Sequence, residues 1–279
     1  MLETFGAAVK LLLYLAAFNS AGIALAAISL RELLERVARF GRDVVAWSAA
    51  VVLFASVLHV VVLVLRLDGD FSGPTLFAIL TTPVGLAAGL QLIGAVLLVT
   101  FELTTRTGFI TGLAGAVAVL ASFGVNGHSS AASVAAGVVA FVHVSAAAWW
   151  HGALVLLAAA CRQLSRGKLA ALVKVFSQYA AAVVVWLLAC GVALIGVLVD
   201  FSQPGWLTPY VQTLALKIVF VGCALGIATY NKFRLTPRLD DKSGDAARAL
   251  HRSIAVELLI LFSVLMTTAW LTTFYSPHH

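Results

Sequence analysis

The sequence predicts an all-α membrane protein, a polytopic bundle of about eight transmembrane helices. Of its 279 residues 62% are hydrophobic and only 11% are charged, whereas soluble domains are nearer half apolar and one quarter charged. The apolar residues form uninterrupted runs of roughly 20 residues, the length with which a helix crosses the hydrocarbon core, and not the short alternating segments of an outer-membrane barrel. We therefore expect a single transmembrane domain over residues 1-279.

The apolar runs give the predicted helices in chain order. They are Phe5–Leu30, Val44–Leu65, Thr82–Phe101, Gly108–Val125, Val134–Cys161, Ala170–Val199, Pro209–Tyr230 and Ser253–Thr273. The first run is preceded by Glu3 and followed by a basic segment, so we expect a retained helix and not a cleaved signal peptide. Pro83 and Pro209 lie near helix starts, where a missing N–H does little harm. Glycines such as Gly94 in the third predicted helix and Gly115 in the fourth predict close helix packing.

The basic residues predict the orientation of the bundle. The net charge is +6, and nearly all of it lies in the connections that follow the first, third, fifth and seventh predicted helices. The residues concerned are Arg31, Arg36, Arg39, Arg42, Arg106, Arg162, Arg166, Lys168, Lys174, Lys232, Arg234, Arg238, Lys242, Arg248 and Arg252. By the positive-inside rule these connections are cytoplasmic and both termini are periplasmic. The charge thus indicates topology in a membrane, with the lipid bilayer as partner and no nucleic acid.

Other chemistries find little support in the sequence. The three cysteines, Cys161, Cys190 and Cys223, show no CxxC and no paired spacing, which argues against a disulfide framework or a thiolate metal site. No P-loop occurs, so ATP would not drive transport by this chain. We expect a protein without catalytic activity.

Histidines within or beside the apolar helices are the candidate metal ligands, because a polar side chain in the bilayer costs free energy unless it has a partner. His143 lies roughly 13 Å, and His59 about 10 Å, from the outer ends of their predicted helices, so the two are expected at matched depth. His128 lies in the loop before the fifth helix, and His151 lies deeper in that helix. Imidazole binds copper, zinc and haem iron alike. Hydrogen bonding to a neighbouring helix is the structural alternative for each histidine.

Two charged residues and one amide complete the candidate set. Lys217 lies about two turns into the seventh helix, and Glu257 lies one to two turns into the eighth. We expect Glu257 to meet Asn231 or Arg252 near the inner face, and Lys217 to extend outward. A purely structural role and a gating or proton-linked role both remain open for them. Trp150 is expected to pack in the core.

Several motifs resemble the CopD family of copper-resistance inner-membrane proteins, mainly in the second half of the chain. The residues that carry the resemblance are Gly127, His128, His143, Trp150 and Gly152, then Val175, Phe176, Ser177 and Gly191, then Lys217, Asn231, Pro237 and Leu239, and finally Ser253, Glu257, Leu271 and Pro277. One departure is His151, which stands where the family pattern usually has glycine.

The resemblance implies copper transport or homeostasis at the bacterial inner membrane, with copper delivered by a periplasmic carrier of the CopC type. It implies ligand roles for His128 and His143, and we expect His59 and His151 to assist them. The runner-up is a b-type haem electron-transfer protein, since His59 and His143 at matched depth would suit bis-histidine ligation of haem b. A structural membrane subunit without a metal is the third alternative.

Overall fold

The computed structural model describes residues 1–30, 37–67, 69–199, 207–239 and 245–275, and it leaves the side chains of 128 and 129 undescribed. Outside these ranges lie Arg31, Arg36 and Lys242 of the predicted cytoplasmic connections, and Pro277 of the family resemblance. Within them every regular element is a helix. The predicted all-α class is therefore confirmed for the described part of the chain.

Ten α-helices occur in the described ranges, and eight of them overlap the predicted apolar runs, although α2 and α10 begin about six and eight residues earlier than predicted. They are α1 Leu2–Leu30, α2 Ala38–Arg66, α3 Gly73–Leu80, α4 Pro83–Val99, α5 Arg106–Val125, α6 His128–Ala132, α7 Val134–Gln163, α8 Arg166–Leu198, α9 Pro209–Tyr230 and α10 Asp245–Phe274. By length and composition, seven helices of the described chain are able to cross a membrane, or up to eight if one bent pair counts as a span. The chain is thus a multi-pass membrane protein.

The bent pair is α3 and α4, which meet at 81°. Thr82 adopts an extended conformation with φ −86° and ψ 167°, and its side chain accepts a hydrogen bond from the Gly85 amide. Pro83 follows, and a proline disfavours helical geometry in the residue before it. The chain therefore breaks its helix here, close to the predicted start of the third span at Thr82, and α4 has 17 residues, Pro83–Val99. The separate helix α3 was not predicted from the sequence.

The turn before α3 is held by a carboxylate. Asp70 accepts hydrogen bonds from the Thr75 hydroxyl and from the Ser72 hydroxyl and amide. These bonds, that from Thr75 foremost, hold the pKa of Asp70 below its usual range because they stabilise the charged form. The Ser72 side chain in turn caps the first turn of α3 by accepting from the Thr75 amide.

Helices α1 and α7 form the centre of the bundle. Helix α1 packs on α2, α5, α7 and α10, while α7 also packs on α5, α8 and α10. Gly22 of α1 and Gly152 of α7 bring the two backbones together: a Cβ added to Gly152 would lie 2.1 Å from the Gly22 carbonyl carbon. This contact was not predicted from the sequence, although small residues at a membrane helix crossing are a general packing device.

A second glycine contact joins α4 and α5. A Cβ added to Gly94 would lie 2.7 Å from the Gly115 oxygen, and one added to Gly115 would lie 2.5 Å from the Gly94 oxygen. The expected role of glycines in the packing of these helices is confirmed. Helices α8 and α9 are peripheral by comparison, since α8 packs mainly on α7, and α9 mainly on α10.

The two ends of the bundle are named here after the predicted orientation in the membrane. The end that carries the first residues of α1, α7 and α9 is called the outer end, and the opposite end is called the inner end. At the inner end α9 continues into a π-helical turn, Asn231–Leu235, and a short 3₁₀ turn, Pro237–Leu239. Thr236 holds the π-turn, because its amide and its hydroxyl both donate to the Asn231 carbonyl. The orientation relative to the cell, with periplasmic termini, stays a prediction.

Candidate functional site

His143 lies in the outer half of α7 and faces α8. Its Nδ1 is 3.0 Å from the carbonyl oxygen of Leu187. A carbonyl only accepts, so Nδ1 carries the proton and donates, and Nε2 keeps a free lone pair. Metal-bound histidines in proteins are generally held by such a bond from the other ring nitrogen. His143 therefore has the tautomer and the orientation of a metal ligand.

Local sequence explains how His143 reaches α8. Ser133 caps the start of α7 by accepting a hydrogen bond from the Ala136 amide. Gly191 of α8 provides the space for the ring: a Cβ at that position would lie 3.3 Å from His143 Cε1. Gly191 is one of the residues that carry the family resemblance, and its role here is to let the imidazole lie against the helix.

Lys217 of α9 lies within electrostatic range of His143. Its ammonium makes no hydrogen bond to any residue in the described part of the chain. Helix α9 thus brings one cation towards the imidazole that α7 and α8 position, and this charge opposes the binding of a metal cation there, as the two cations near His59 do at that site. The sequence analysis expected Lys217 to extend outward, and the structure adds His143 as its electrostatic neighbour.

His59 of α2 has a different setting. Lys10 of α1 and Arg66 at the end of α2 both act on it electrostatically, and its buried Nδ1 has no hydrogen-bond partner among the described residues. Lys10 is fixed by donating to the Thr272 carbonyl at 2.8 Å. Two neighbouring cations oppose the binding of a third, because like charges raise the free energy of the bound state.

The matched depth of His59 and His143 does not bring them together in the described contacts. His143 bonds to α8, whereas the groups that act on His59 lie on α1 and α2. No hydrogen bond, ring contact or electrostatic contact joins the two histidines among the residues that the structure describes. Bis-histidine ligation of haem by this pair therefore gains no support from their surroundings.

His151 lies between α7 and α1 and is 6% exposed. Its Nε2 is 2.9 Å from Oδ1 of Asn19, and the edge of the Phe18 ring packs against it at 6.1 Å between centroids. With the amide oxygen as acceptor, Nε2 carries the proton and Nδ1 holds the lone pair. That Nδ1 is buried and has no partner in the described chain. His151 thus presents a free nitrogen to the interior of the bundle.

Glu257 of α10 is the centre of a buried polar group near the inner end. Its Oε1 accepts a hydrogen bond from Trp150 Nε1 at 3.0 Å, and its Oε2 accepts one from Asn231 Nδ2, also at 3.0 Å. The expected contact of Glu257 with Asn231 is confirmed. The hydrogen bond from Trp150 was missed. A tryptophan in an apolar helix was predicted to pack in the core, and the acceptor of its N–H lies on another helix that the sequence does not identify.

The neighbouring tryptophan has a separate role. Trp149 stacks on Phe176 of α8, with ring centroids 5.8 Å apart and planes inclined by 7°. Its Nε1 donates to the Ser29 hydroxyl at 3.3 Å. The tandem tryptophans therefore point to different helices, so Trp149 ties α7 to α8 and α1, and Trp150 ties α7 to α10.

A polar chain across α2, α4 and α5 was not predicted. The Ser56 hydroxyl lies 2.9 Å from Gln91 Oε1, and Gln91 Nε2 donates to the Ser122 hydroxyl at 3.0 Å. All three side chains are buried. The signal available in the sequence was a lone glutamine in the glycine-rich third apolar run, since such a residue needs polar partners in lipid.

The candidate ligands are spread along the bundle. No group of three or more His, Cys, Asp or Glu side chains suited to hold a metal occurs in the described part of the chain. His128 begins the short helix α6, which packs on α7 and α8, but its side chain lies outside the described part. The arrangement consists of single imidazoles at different depths.

Comparison with known proteins supports the family resemblance for part of the chain. Residues 170–271 match the family model CopD, copper resistance protein D. Curated proteins and solved structures give no match. The matched stretch covers α8, α9 and most of α10, including Gly191, Lys217, Asn231 and Glu257. The predicted resemblance is confirmed there, and it links this region with copper resistance; the earlier motif from Gly127 to Gly152 stays a prediction.

Proposed function

We propose that the protein carries copper across the bacterial inner membrane, and that His143 is the central ligand. The observation that supports this most strongly is the hydrogen bond from His143 Nδ1 to the Leu187 carbonyl, which leaves Nε2 free to bind the ion. The bond and Gly191 tie the histidine to α8, a helix within the stretch that matches the copper-resistance family. Copper is the cargo of the protein in this role.

The route runs through three histidines in series. His128 captures copper at the outer end, His143 receives it in the outer half, and His151 offers its unpartnered Nδ1 deeper in the bundle. Along α7, His143 and His151 are separated by roughly 12 Å of helix rise. Single imidazoles bind an ion more weakly than closed sites of several ligands, and passage requires sites that also release the ion. His59 assists from the side, where Lys10 and Arg66 limit its direct affinity for a cation.

The partners follow from the same role. A periplasmic carrier of the CopC type would deliver copper to the outer end, and the lipid bilayer surrounds the bundle. The protein would act as a transporter without catalytic activity of its own. These assignments rest on the family match and on the predicted orientation.

Copper flux into proteoliposomes tests this function. Wild-type protein is expected to carry copper, and His143→Ala is expected to lower the flux at least tenfold. His251→Ala is the matched control, since that histidine lies on α10 outside the proposed route, and it should retain the flux. Equal flux in wild type, His143→Ala and empty liposomes would contradict the proposal. An absorption spectrum decides the runner-up, because a reducible Soret band in the purified protein would favour haem.

A further inference from the structure

Glu257 is enclosed in the protein to an unusual degree for an acid. It is 1% exposed, and it is the one acidic side chain among the buried residues that the structure describes. It lies on α10 where α7 and the end of α9 pack against that helix. Burial of an ionised carboxylate is costly unless a positive charge or a metal compensates it.

No cation compensates Glu257 in the described part of the chain. The described ion pairs lie elsewhere, between Arg42 and Asp43 or Glu102 and between Arg248 and Asp245. The two groups that donate to Glu257, the Trp150 indole and the Asn231 amide, are neutral. Charged and titratable residues occur on the elements packed around it, but in the described part of the chain none of them makes a hydrogen bond or ion pair with Glu257; one of them, His251, has a buried Nδ1 without a partner there. They are Lys10 on α1, His151 on α7, Lys217 on α9, Lys232 and Arg234 on the π-turn, Arg238 on the 3₁₀ turn, and His251 and Arg252 on α10.

The side chains of Trp150 and Asn231 are able to hydrogen-bond Glu257 in both its charged and its protonated state. In the charged state Trp150 donates to Oε1 and Asn231 Nδ2 donates to Oε2. The other amide atom, Asn231 Oδ1, is buried and has no partner among the described residues. When a proton adds to Oε2, a half-turn of the Asn231 amide presents Oδ1 as the acceptor for the new O–H. The bond from Trp150 to Oε1 is kept in both states.

The backbone next to Asn231 offers a route to the inner end. Asn231 begins the π-helical turn Asn231–Leu235, and π-turns occur frequently at functional sites because they interrupt the regular ladder of helix hydrogen bonds. Lys232 and Arg234 in this turn are exposed. Asn231 therefore connects the Glu257 carboxylate to a turn that is exposed at the inner end.

We propose that Glu257, Asn231 and Trp150 form a buried proton-binding site that exchanges with the inner end of the bundle. Glu257 Oε2 takes up one proton from water, Asn231 turns its amide to accept the resulting O–H, and release reverses both changes. A link between this proton and copper movement rests on the proposed function. The proton site itself rests on the geometry of the three side chains.

Infrared spectroscopy of the purified full-length protein tests the site without copper. Wild type is expected to show the carbonyl stretch of a protonated carboxylic acid, which disappears as the pH is raised. Glu257→Gln should remove that band, while Glu102→Gln, which changes an acid at a helix connection, should keep it. The amide introduced by Glu257→Gln donates to Asn231 Oδ1, so the fold should be retained, and circular dichroism checks it.

A second variant separates proton binding from a purely structural role. Trp150→Phe removes the donor to Oε1, so the band of the protonated acid is expected to move to higher frequency. A carboxylic acid band that Glu257→Gln leaves unchanged, or the absence of any titrating band in wild type, would overturn the proposal. If the band behaves as expected but wild-type proteoliposomes carry no copper, the proton site stands and the proposed function fails.

Discussion

The central helices and the family-matched helices of this protein are packed very differently. In α1 and α7, 61% of the residues in the most apolar stretch are buried, against 11% in α8 and 6% in α9. The centre is closed by backbone contact between Gly22 and Gly152. Helices α8 and α9 instead present large apolar side chains such as Trp186 and Val219 to the surroundings.

The candidate chemistry lies where these two regions meet. His143 belongs to the tightly packed α7 but bonds to α8, and Trp150 on the same helix is joined through Glu257 to Asn231 at the end of α9. Weakly packed elements open at lower free energy than a core does. Helix α7 is thus held on several sides by the bundle, whereas α8 and α9 have fewer contacts that hold them in place.

The largest effect is expected from a substitution that breaks the central contact. Gly152→Val places a side chain within 2.1 Å of the Gly22 backbone, so α1 and α7 must separate. We expect a loss of more than about 3 kcal/mol, at or beyond the upper end of overpacking costs. Thermal unfolding and size-exclusion chromatography of the purified variant measure this loss.

Gly222→Val on the peripheral α9 is the matched control. A Cβ at Gly222 meets nothing within 4 Å, so this variant should unfold as wild type does. A normal unfolding temperature for Gly152→Val would show that the centre is no more tightly packed than the periphery, and the comparison would fail.

The next effect concerns the bond that joins α7 to α10. Trp150→Phe leaves Glu257 with one donor, and above the pH at which the carboxylic acid band disappears, where Glu257 is charged, a hydrogen bond to its carboxylate contributes about 1.5–3 kcal/mol. We expect stability to fall by about that amount. Trp149→Phe is the control, since it keeps the stack on Phe176 and loses only the 3.3 Å bond to Ser29. Chemical unfolding in detergent compares the free energies of unfolding of the two variants. An equal loss of stability would contradict the larger contribution of the hydrogen bond from Trp150 to Glu257.

A smaller change is expected at the face between α7 and α8. Gly191→Ala places a Cβ 3.3 Å from His143 Cε1, so the ring must shift by a few tenths of an ångström. We expect copper affinity to fall about threefold to tenfold, or about 1 kcal/mol, with little change in unfolding. Competition with a copper chelator measures the affinity. Gly196→Ala, which meets nothing within 4 Å, should leave it unchanged.

The smallest effect is expected for the polar chain through α4. Gln91→Leu removes two hydrogen bonds, but the hydroxyls of Ser56 and Ser122 still have the carbonyls of Val52 and Val119 as acceptors. Hydrogen bonds between membrane helices average about 0.6 kcal/mol, so we expect a loss of about 1 kcal/mol or less. A loss as large as that of Gly152→Val in the same unfolding assay would show that this chain is central to the fold.

The sequence predicted the helices well because their apolar length is a local property. Val134 and Pro209 begin their helices where the apolar runs indicated, and the meeting of Glu257 with Asn231 followed from their similar depth. The helix before the bend was missed, because the apolar residues of Gly73–Leu80 form a run too short to predict a membrane span. Pro83 itself was placed near a helix start, but the preceding helix α3 was not recognised.

Contacts that depend on which face each helix turns towards its neighbour could not be predicted from the sequence. The pairing of Gly22 with Gly152, the bond from Trp150 to Glu257 and the bond from His143 to the Leu187 carbonyl join residues far apart in the chain. Depth along each helix is readable from a sequence, whereas the facing direction is set by packing. For the same reason matched depth alone suggested that His59 faces His143.

Nitrogen NMR of the His143 ring during copper titration tests its ligand role most directly. The protein is labelled with ¹⁵N-histidine, and His143→Ala identifies the signals. Before copper is added, Nδ1 should be protonated and Nε2 unprotonated. Cu(I) should then shift Nε2 strongly while Nδ1 keeps its proton and its bond to Leu187. If the Nε2 signal does not shift at saturating copper, or if copper binds Nδ1 and displaces its proton, His143 is not the ligand that its geometry indicates.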